Sequence, residues 1–276
     1  MKKLLLINFL TFIFLNSFAQ VKMPAPSPTQ TIKQDFAIGS IELKYSRPSA
    51  KGRAVFGELV PYNKLWRTGA NAATVISFSD PVEINGKRVD SGSYALYTIP
   101  GVESWEVILN KGITNSGVAG YKESDDVLRF RCEPFKLKKK LETFTMQFGN
   151  IKSESCDLDI MWEKTMITIN IESKIREKLK AQLEAAALTD KKSYWQAAQF
   201  YTEYESNTTK ALDNVTKALA ENPKAFWMWL YKAKIQKEMG DKAGAKESAK
   251  KSLELATAEK NEDYIRMNEA LLKKLK

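Results

Sequence analysis

The residues best suited to chemistry crowd into one stretch, Tyr45 to Ala73, reading YSRPSAKGRAVFGELVPYNKLWRTGANAA. It holds Arg47, Lys51, Arg53 and Arg67. Guanidinium forks take carboxylate or phosphate oxygens two at a time, so convergence of these groups would make a seat for an anion. The glycines at 52, 57 and 69 would let backbone amides approach the same ligand. Trp66 and Asn71 complete the candidate ligand-binding set. The same composition fits a second reading: each arginine pairs locally and pins a long loop, while Phe56, Tyr62 and Trp66 fill its underside.

Other chemistries find little support. The chain has no His, which removes the usual base for a Ser or Cys nucleophile and the usual ligand of catalytic zinc. Its S-x-x-K, Ser248 to Lys251, lies in a helical pattern. Asp125-Asp126 and Asp157/Asp159 are the carboxylate pairs that glycoside hydrolysis would need. No phosphate loop or dinucleotide fingerprint occurs. No metal site and no cofactor is expected, and the residues lean away from catalysis.

The elements around the stretch read as strands. Runs rich in β-branched and aromatic residues span 31–36, 40–45, 74–79, 82–89, 93–99, 105–110, 127–132, 141–148, 156–162 and 166–171. Within the run 82–89, Asn85-Gly86 supplies the two positive φ values of a tight hairpin. Short strands with few helical patterns between them predict an all-β antiparallel sandwich, jelly-roll-like, over residues 30–171. The cluster Lys136–Lys140 is placed in a hairpin turn. Cys132 and Cys156 are open to a disulfide in an oxidising compartment, but the strand predicted at 141–148 lies between theirs and argues against one.

The segment YSRPSAKGRAVFGELVPYNKLWRTGANAAT, followed by SGSYALYTIPG and WEVILNK, resembles the exported bacterial family called domain of unknown function 2911. The likeness covers about Pro28 to Ile171 and implies a β-sandwich and an exported protein, with no activity to carry over. Two departures stand out. Ala72 follows the GAN triplet where the resemblance implies an acidic residue, and Asn115-Ser116-Gly117 stands where it implies an aromatic.

From residue 172 the period becomes helical. Ile175, Leu179, Leu183 and Ala187 step by four along a linking helix. A repeat of 34 residues follows, in which Trp195 recurs as Trp229, Ala211 as Ala245 and Leu219 as Leu253. This spacing resembles the tetratricopeptide repeat, giving units 192–225 and 226–259 and a capping helix through Tyr264, Met267, Leu271 and Leu275. Ala211, Ala218 and Ala245 must be small for helices to approach, while Trp195 and Trp229 fill the gap between units. Gln199 departs from the small residue expected there, and the turn 205–207 lacks a Gly. The all-α domain is thus expected over 172–276, offering a concave face to a protein or peptide.

The N-terminus reads as a signal peptide, residues 1–19: Lys2 and Lys3, an apolar run from Leu4 to Leu15, then Ser17-Phe18-Ala19. Cleavage there leaves a Pro-rich stub over 20–29 and an exported protein, periplasmic or extracellular, whose membrane contact ends with the cleaved segment. Residues 20–170 carry 20 basic and 17 acidic side chains, and residues 171–276 carry 21 and 16. Neither balance has the density of a nucleic-acid binder. The function expected is a non-catalytic binding or protein-interaction module, with an anionic small ligand or glycan on the sandwich loop. A carboxylate-dependent hydrolase of a cell-envelope or carbohydrate substrate is the alternative, and a structural or dimerising envelope protein the third.

Overall fold

The computed structural model describes residues 23–189 and 192–276. The predicted signal peptide, 1–19, lies outside the described residues. Ten strands come first: β1 (Thr29–Phe36), β2 (Gly39–Ser46), β3 (Thr74–Phe78), β4 (Val82–Ile84), β5 (Lys87–Val89), β6 (Gly92–Ile99), β7 (Trp105–Asn110), β8 (Asp126–Cys132), β9 (Phe135–Gly149) and β10 (Ser155–Glu172). They make two antiparallel sheets, of order β1-β2-β3-β6-β7-β8 and β5-β4-β10-β9, and neither closes into a barrel. Alternation explains the layering. In β2, Ile41, Leu43 and Tyr45 turn inward and Glu42 and Lys44 outward, because successive side chains point to opposite faces.

The hairpin expected at Asn85-Gly86 joins β4 to β5, with φ 51° and 71° at the two residues. Two local expectations change. The runs 156–162 and 166–171 are one strand of 18 residues, β10. It is irregular around Glu163, where φ is 50°. Lys136–Lys140 lies in β9 rather than in a turn. β9 is the edge of its sheet, and an edge accepts lysines because one side of the strand faces water. Cys132 and Cys156 are free thiols on strands of different sheets.

The core between the sheets is aromatic at its centre. Tyr45, Trp105, Phe144 and Trp162 are buried there. Phe56 and Trp66 of the long loop join them: Trp66 stacks on Trp162 with ring centroids 6.1 Å apart, and Phe56 meets Trp105 at 5.0 Å. The stretch singled out for its cations therefore contributes Phe56 and Trp66 to the core, whereas Tyr62, expected beside them, is exposed.

Six helices follow: α1 (Arg176–Ala187), α2 (Tyr194–Glu203), α3 (Thr208–Glu221), α4 (Phe226–Glu238), α5 (Lys242–Ala258) and α6 (Glu262–Lys274). From α2 onward each packs on the next. Asn207, Asp241 and Asn261 cap α3, α5 and α6 by accepting from the N–H groups of Lys210, Gly244 and Tyr264, satisfying donors that a helix start leaves free. Ala211 and Ala245 are fully buried at these contacts, and the Trp195 ring meets that of Tyr231 at 5.0 Å. α1 is different, with no buried residue of its own. Of its predicted stripe, Ile175 is buried, Leu179 and Leu183 are half-buried, and Ala187 is exposed. Ion pairs from Lys178 to Asp80 and from Arg176 to Glu205 tie α1 to both neighbours. Among the described residues, no helix is long and apolar enough to cross a membrane.

Candidate functional site

The candidate cations Arg47, Lys51, Arg53 and Arg67 do not converge. Arg47 turns to β9, donating from Nε to Phe144 O at 3.1 Å and from Nη2 to Thr145 Oγ1 at 3.0 Å. Beside it the Tyr45 hydroxyl reaches the same edge. It accepts from Met146 N–H at 2.9 Å and lies within donating distance of Gln30 Oε1 (2.9 Å) and Met146 O (3.2 Å). Phe144 N–H donates to Pro48 O, and Ala50 N–H to Glu142 O. Tyr45, Arg47, Pro48 and Ala50 thus form a seam that satisfies the backbone of an edge strand and closes one side of the sandwich. Arg53 folds back on its own loop, donating to Ala50 O at 2.8 Å and Ser49 O at 2.9 Å. Lys51 is exposed. Asn71, at φ 60°, donates to Ser27 O and Ser46 Oγ and holds the turn before β3.

Arg67 stands apart. Trp66 exchanges backbone hydrogen bonds with Thr98 of β6, so the loop runs beside β6 as an extra length of strand. With Trp66 in the core, Arg67 falls on the outer face of the six-stranded sheet. That face carries a second apolar cluster, Ala73, Ala95, Tyr97 and Ile108, with Leu65, Ile99 and Tyr121 against it. The loop between β7 and β8 folds over it. The Arg67 guanidinium lies on Gly117, where an added Cβ would stand 2.5 Å from Nη1. Gly117 also has φ +66°, so glycine is required there twice over. Tyr97 donates its hydroxyl to Gly117 O at 3.1 Å and accepts from Asn115 Nδ2 at 3.2 Å. Burial pushes the Tyr97 hydroxyl above its ordinary pKa, against the opposing effect of Asn115.

Further along the same face, Arg129 donates to Glu106, Asp126 and the Tyr121 hydroxyl at 2.8 to 2.9 Å. Partial burial pulls the Arg129 pKa down, but the hydrogen bonds to Asp126 and Glu106 outweigh it and hold it above its ordinary value. Burial, with Asp126 beside it, pushes the Tyr121 hydroxyl up to about 12. Every arginine of the chain finds an acceptor or ion-pair partner except Arg67. The Arg67 Nε is buried with nothing to donate to. Tyr97, Tyr121 and Arg129 escaped the sequence reading, because nothing local marks which strand residues a distant loop will cover.

Three of the four paired carboxylates are committed elsewhere. Asp126 is held by Asn110, Tyr121 and Arg129, Asp157 by Asn150 and Asn170, and Asp159 by Thr168. No group of three His, Cys, Asp or Glu side chains suited to a metal ion occurs among the described residues. Between α4 and α6 a groove of about 560 Å³ is lined by Met267, Leu271, Lys234, Lys237, Lys274 and Glu238.

By fold, then, this is a two-sheet antiparallel domain with a covered outer face and a helical C-terminal region. The family described as protein of unknown function (DUF2911) matches residues 27–171, just over half of the chain, and the protein belongs to that family. No curated protein matches it. The match ends within β10, so the six helices lie beyond it. Of the two positions where the resemblance implies other residues, Gly117 lies under the Arg67 guanidinium, whereas Ala72 is exposed.

Proposed function

We propose that the protein is an exported, non-catalytic binding module whose sheet domain holds an anionic group at Arg67 and whose helical region engages a protein. The observation that carries this reading is the unpartnered Arg67, with a buried Nε that has no acceptor. A guanidinium so placed is costly unless something accepts from it, and a carboxylate or phosphate oxygen is the acceptor its fork fits best. The tetratricopeptide-like spacing of α2 to α5, and the lysine-lined groove between α4 and α6, support the second half of the reading.

The test is a thermal-shift and calorimetric titration of the mature protein with inorganic phosphate, acetate and succinate, alongside Arg67→Gln. Ligand at a hundred times its Kd should stabilise the wild type by about 2.7 kcal/mol, and Arg67→Gln should abolish the response. In the absence of ligand the variant should match or exceed wild-type stability, because it removes a buried donor without an acceptor. An Arg67→Gln protein destabilised by more than about 1 kcal/mol, with no anion response in the wild type, would make Arg67 structural and end this reading.

A further inference from the structure

We propose a second ligand site, for a saccharide, in the cleft between β1 and β9. This cleft, of about 350 Å³, lies on the side of the sandwich closed by the Tyr45–Arg47 seam and is lined by Gln30, Ile32, Gln34, Gln147, Phe148 and Arg47 among others. It is away from Arg67, which is not among its lining residues.

The pattern of β1 is the first argument. Gln30, Ile32, Gln34 and Phe36 alternate on its less exposed face, where a strand closing a sandwich should be apolar throughout. Amides at 30 and 34 break that rule, and departures of this kind concentrate at functional sites. Their hydrogen-bonding capacity is only partly used. Gln30 Oε1 accepts from Tyr45, and its Nε2 has no acceptor in the protein. Gln34 Nε2 donates to Asp35 O, and its Oε1 accepts nothing. Gln147 makes no side-chain hydrogen bond at all. Arg47 keeps Nη1 free after Nε and Nη2 are spent on β9.

Ligand class follows from the kinds of group left over. An amide offers donors and an acceptor side by side, which matches the paired hydroxyls of a sugar, each donor and acceptor at once. Lys33 and Arg47 line the cleft as cations, but a carboxylate or phosphate, which only accepts, would leave the three glutamine oxygens mismatched. An added peptide strand is disfavoured on the β9 side, because Phe144 N–H and O and Met146 N–H and O are already engaged by Pro48, Arg47 and Tyr45. Ile32 and Phe148, half-buried, supply the apolar floor on which the C–H face of a pyranose rests.

The test uses the mature full-length chain, isotope-labelled, with amide resonances followed during titration with cello-, xylo-, malto- and chito-oligosaccharides. At least one should shift amides of β1 and β9 with a Kd of about 0.1 to 1 mM, as suits a small open cleft. The double variant Gln34→Ala/Gln147→Ala should weaken that binding about tenfold, the loss expected for two hydrogen bonds of modest worth. Its melting temperature should not change, since neither side chain holds a distant part of the fold. Arg67→Gln should bind the saccharide as well as wild type, which separates this site from the anion site. The proposal is overturned if no saccharide shifts these amides, if the double variant binds as tightly as wild type, or if an extended peptide shifts them where sugars do not.

Discussion

Replacing Tyr45 with Phe should open the seam that closes the β9 side of the sandwich. The hydroxyl removed accepts from Met146 N–H and has Gln30 Oε1 and Met146 O within reach of its own proton. Tyr45 and Met146 are each 2% exposed, so water does not readily replace the lost partner. Leaving the Met146 N–H unsatisfied costs about 1 to 3 kcal/mol, and the donated hydrogen bond adds about 0.5 to 1.5 kcal/mol. A loss of about 2 to 3 kcal/mol is expected. Tyr94→Phe is the control, because its hydroxyl makes a single half-buried bond to Asp90 O and its loss should cost about 1 kcal/mol. Urea unfolding measures both, and native-state hydrogen exchange over 142–149 reads the seam directly, since the Met146 amide should exchange faster in the variant. If Tyr45→Phe costs no more than Tyr94→Phe and Met146 keeps its protection, the seam does not hold the edge and the reasoning fails.

Burial pushes the Cys132 and Cys156 thiols up to about 11, with the Asp157 charge adding to it at Cys156. Between the ordinary thiol value near 9 and 11, the unfolded chain loses protons that the folded chain keeps, so stability should fall as pH rises through that window. Urea midpoints at successive pH values should fall less steeply for Cys132→Ala/Cys156→Ala, and native thiols should alkylate slowly until the pH approaches 11. Gly117→Ala should cost about 1 to 3 kcal/mol, since it combines a positive φ with a clash against Arg67 Nη1. It should also weaken the anion response if that response arises at Arg67. Ala211→Leu and Ala245→Leu should each cost about 1 to 3 kcal/mol by overpacking fully buried helix contacts, read as loss of helical signal on heating.

Strand positions were legible in the sequence wherever alternation and turn chemistry agreed. β7, Trp105 to Asn110, runs between the same residues in both, and Asn85-Gly86 makes its turn. Legibility failed where a tertiary partner decided the outcome. Lys136 to Lys140 looks like a turn because four charges seldom suit a strand, yet an edge position suits them. Residues 156–162 and 166–171 look like two strands because Glu163 and Lys164 interrupt the apolar pattern, and an irregularity carries the strand past them.

The candidate site was harder to read for a related reason. Composition put Arg47, Lys51, Arg53, Trp66, Arg67 and Asn71 in one group, but direction separates them. Trp66 and Arg67 are neighbours in a locally extended chain, so they face opposite sides of a sheet by geometry alone. One enters an aromatic core, and the other reaches a face covered by residues 111–122, which lie more than forty positions away in sequence. The cations best placed to pin backbone do so: Arg47 binds the edge of β9, and Arg53 binds its own loop. What remains after those roles are assigned is one guanidinium with a buried, idle donor. No local sequence feature distinguishes it from the arginines that pin backbone, because only the tertiary acceptors differ. The amides of β1 differ from the seam in the same way: Tyr45 and Arg47 spend their groups on β9, and Gln34 and Gln147 do not.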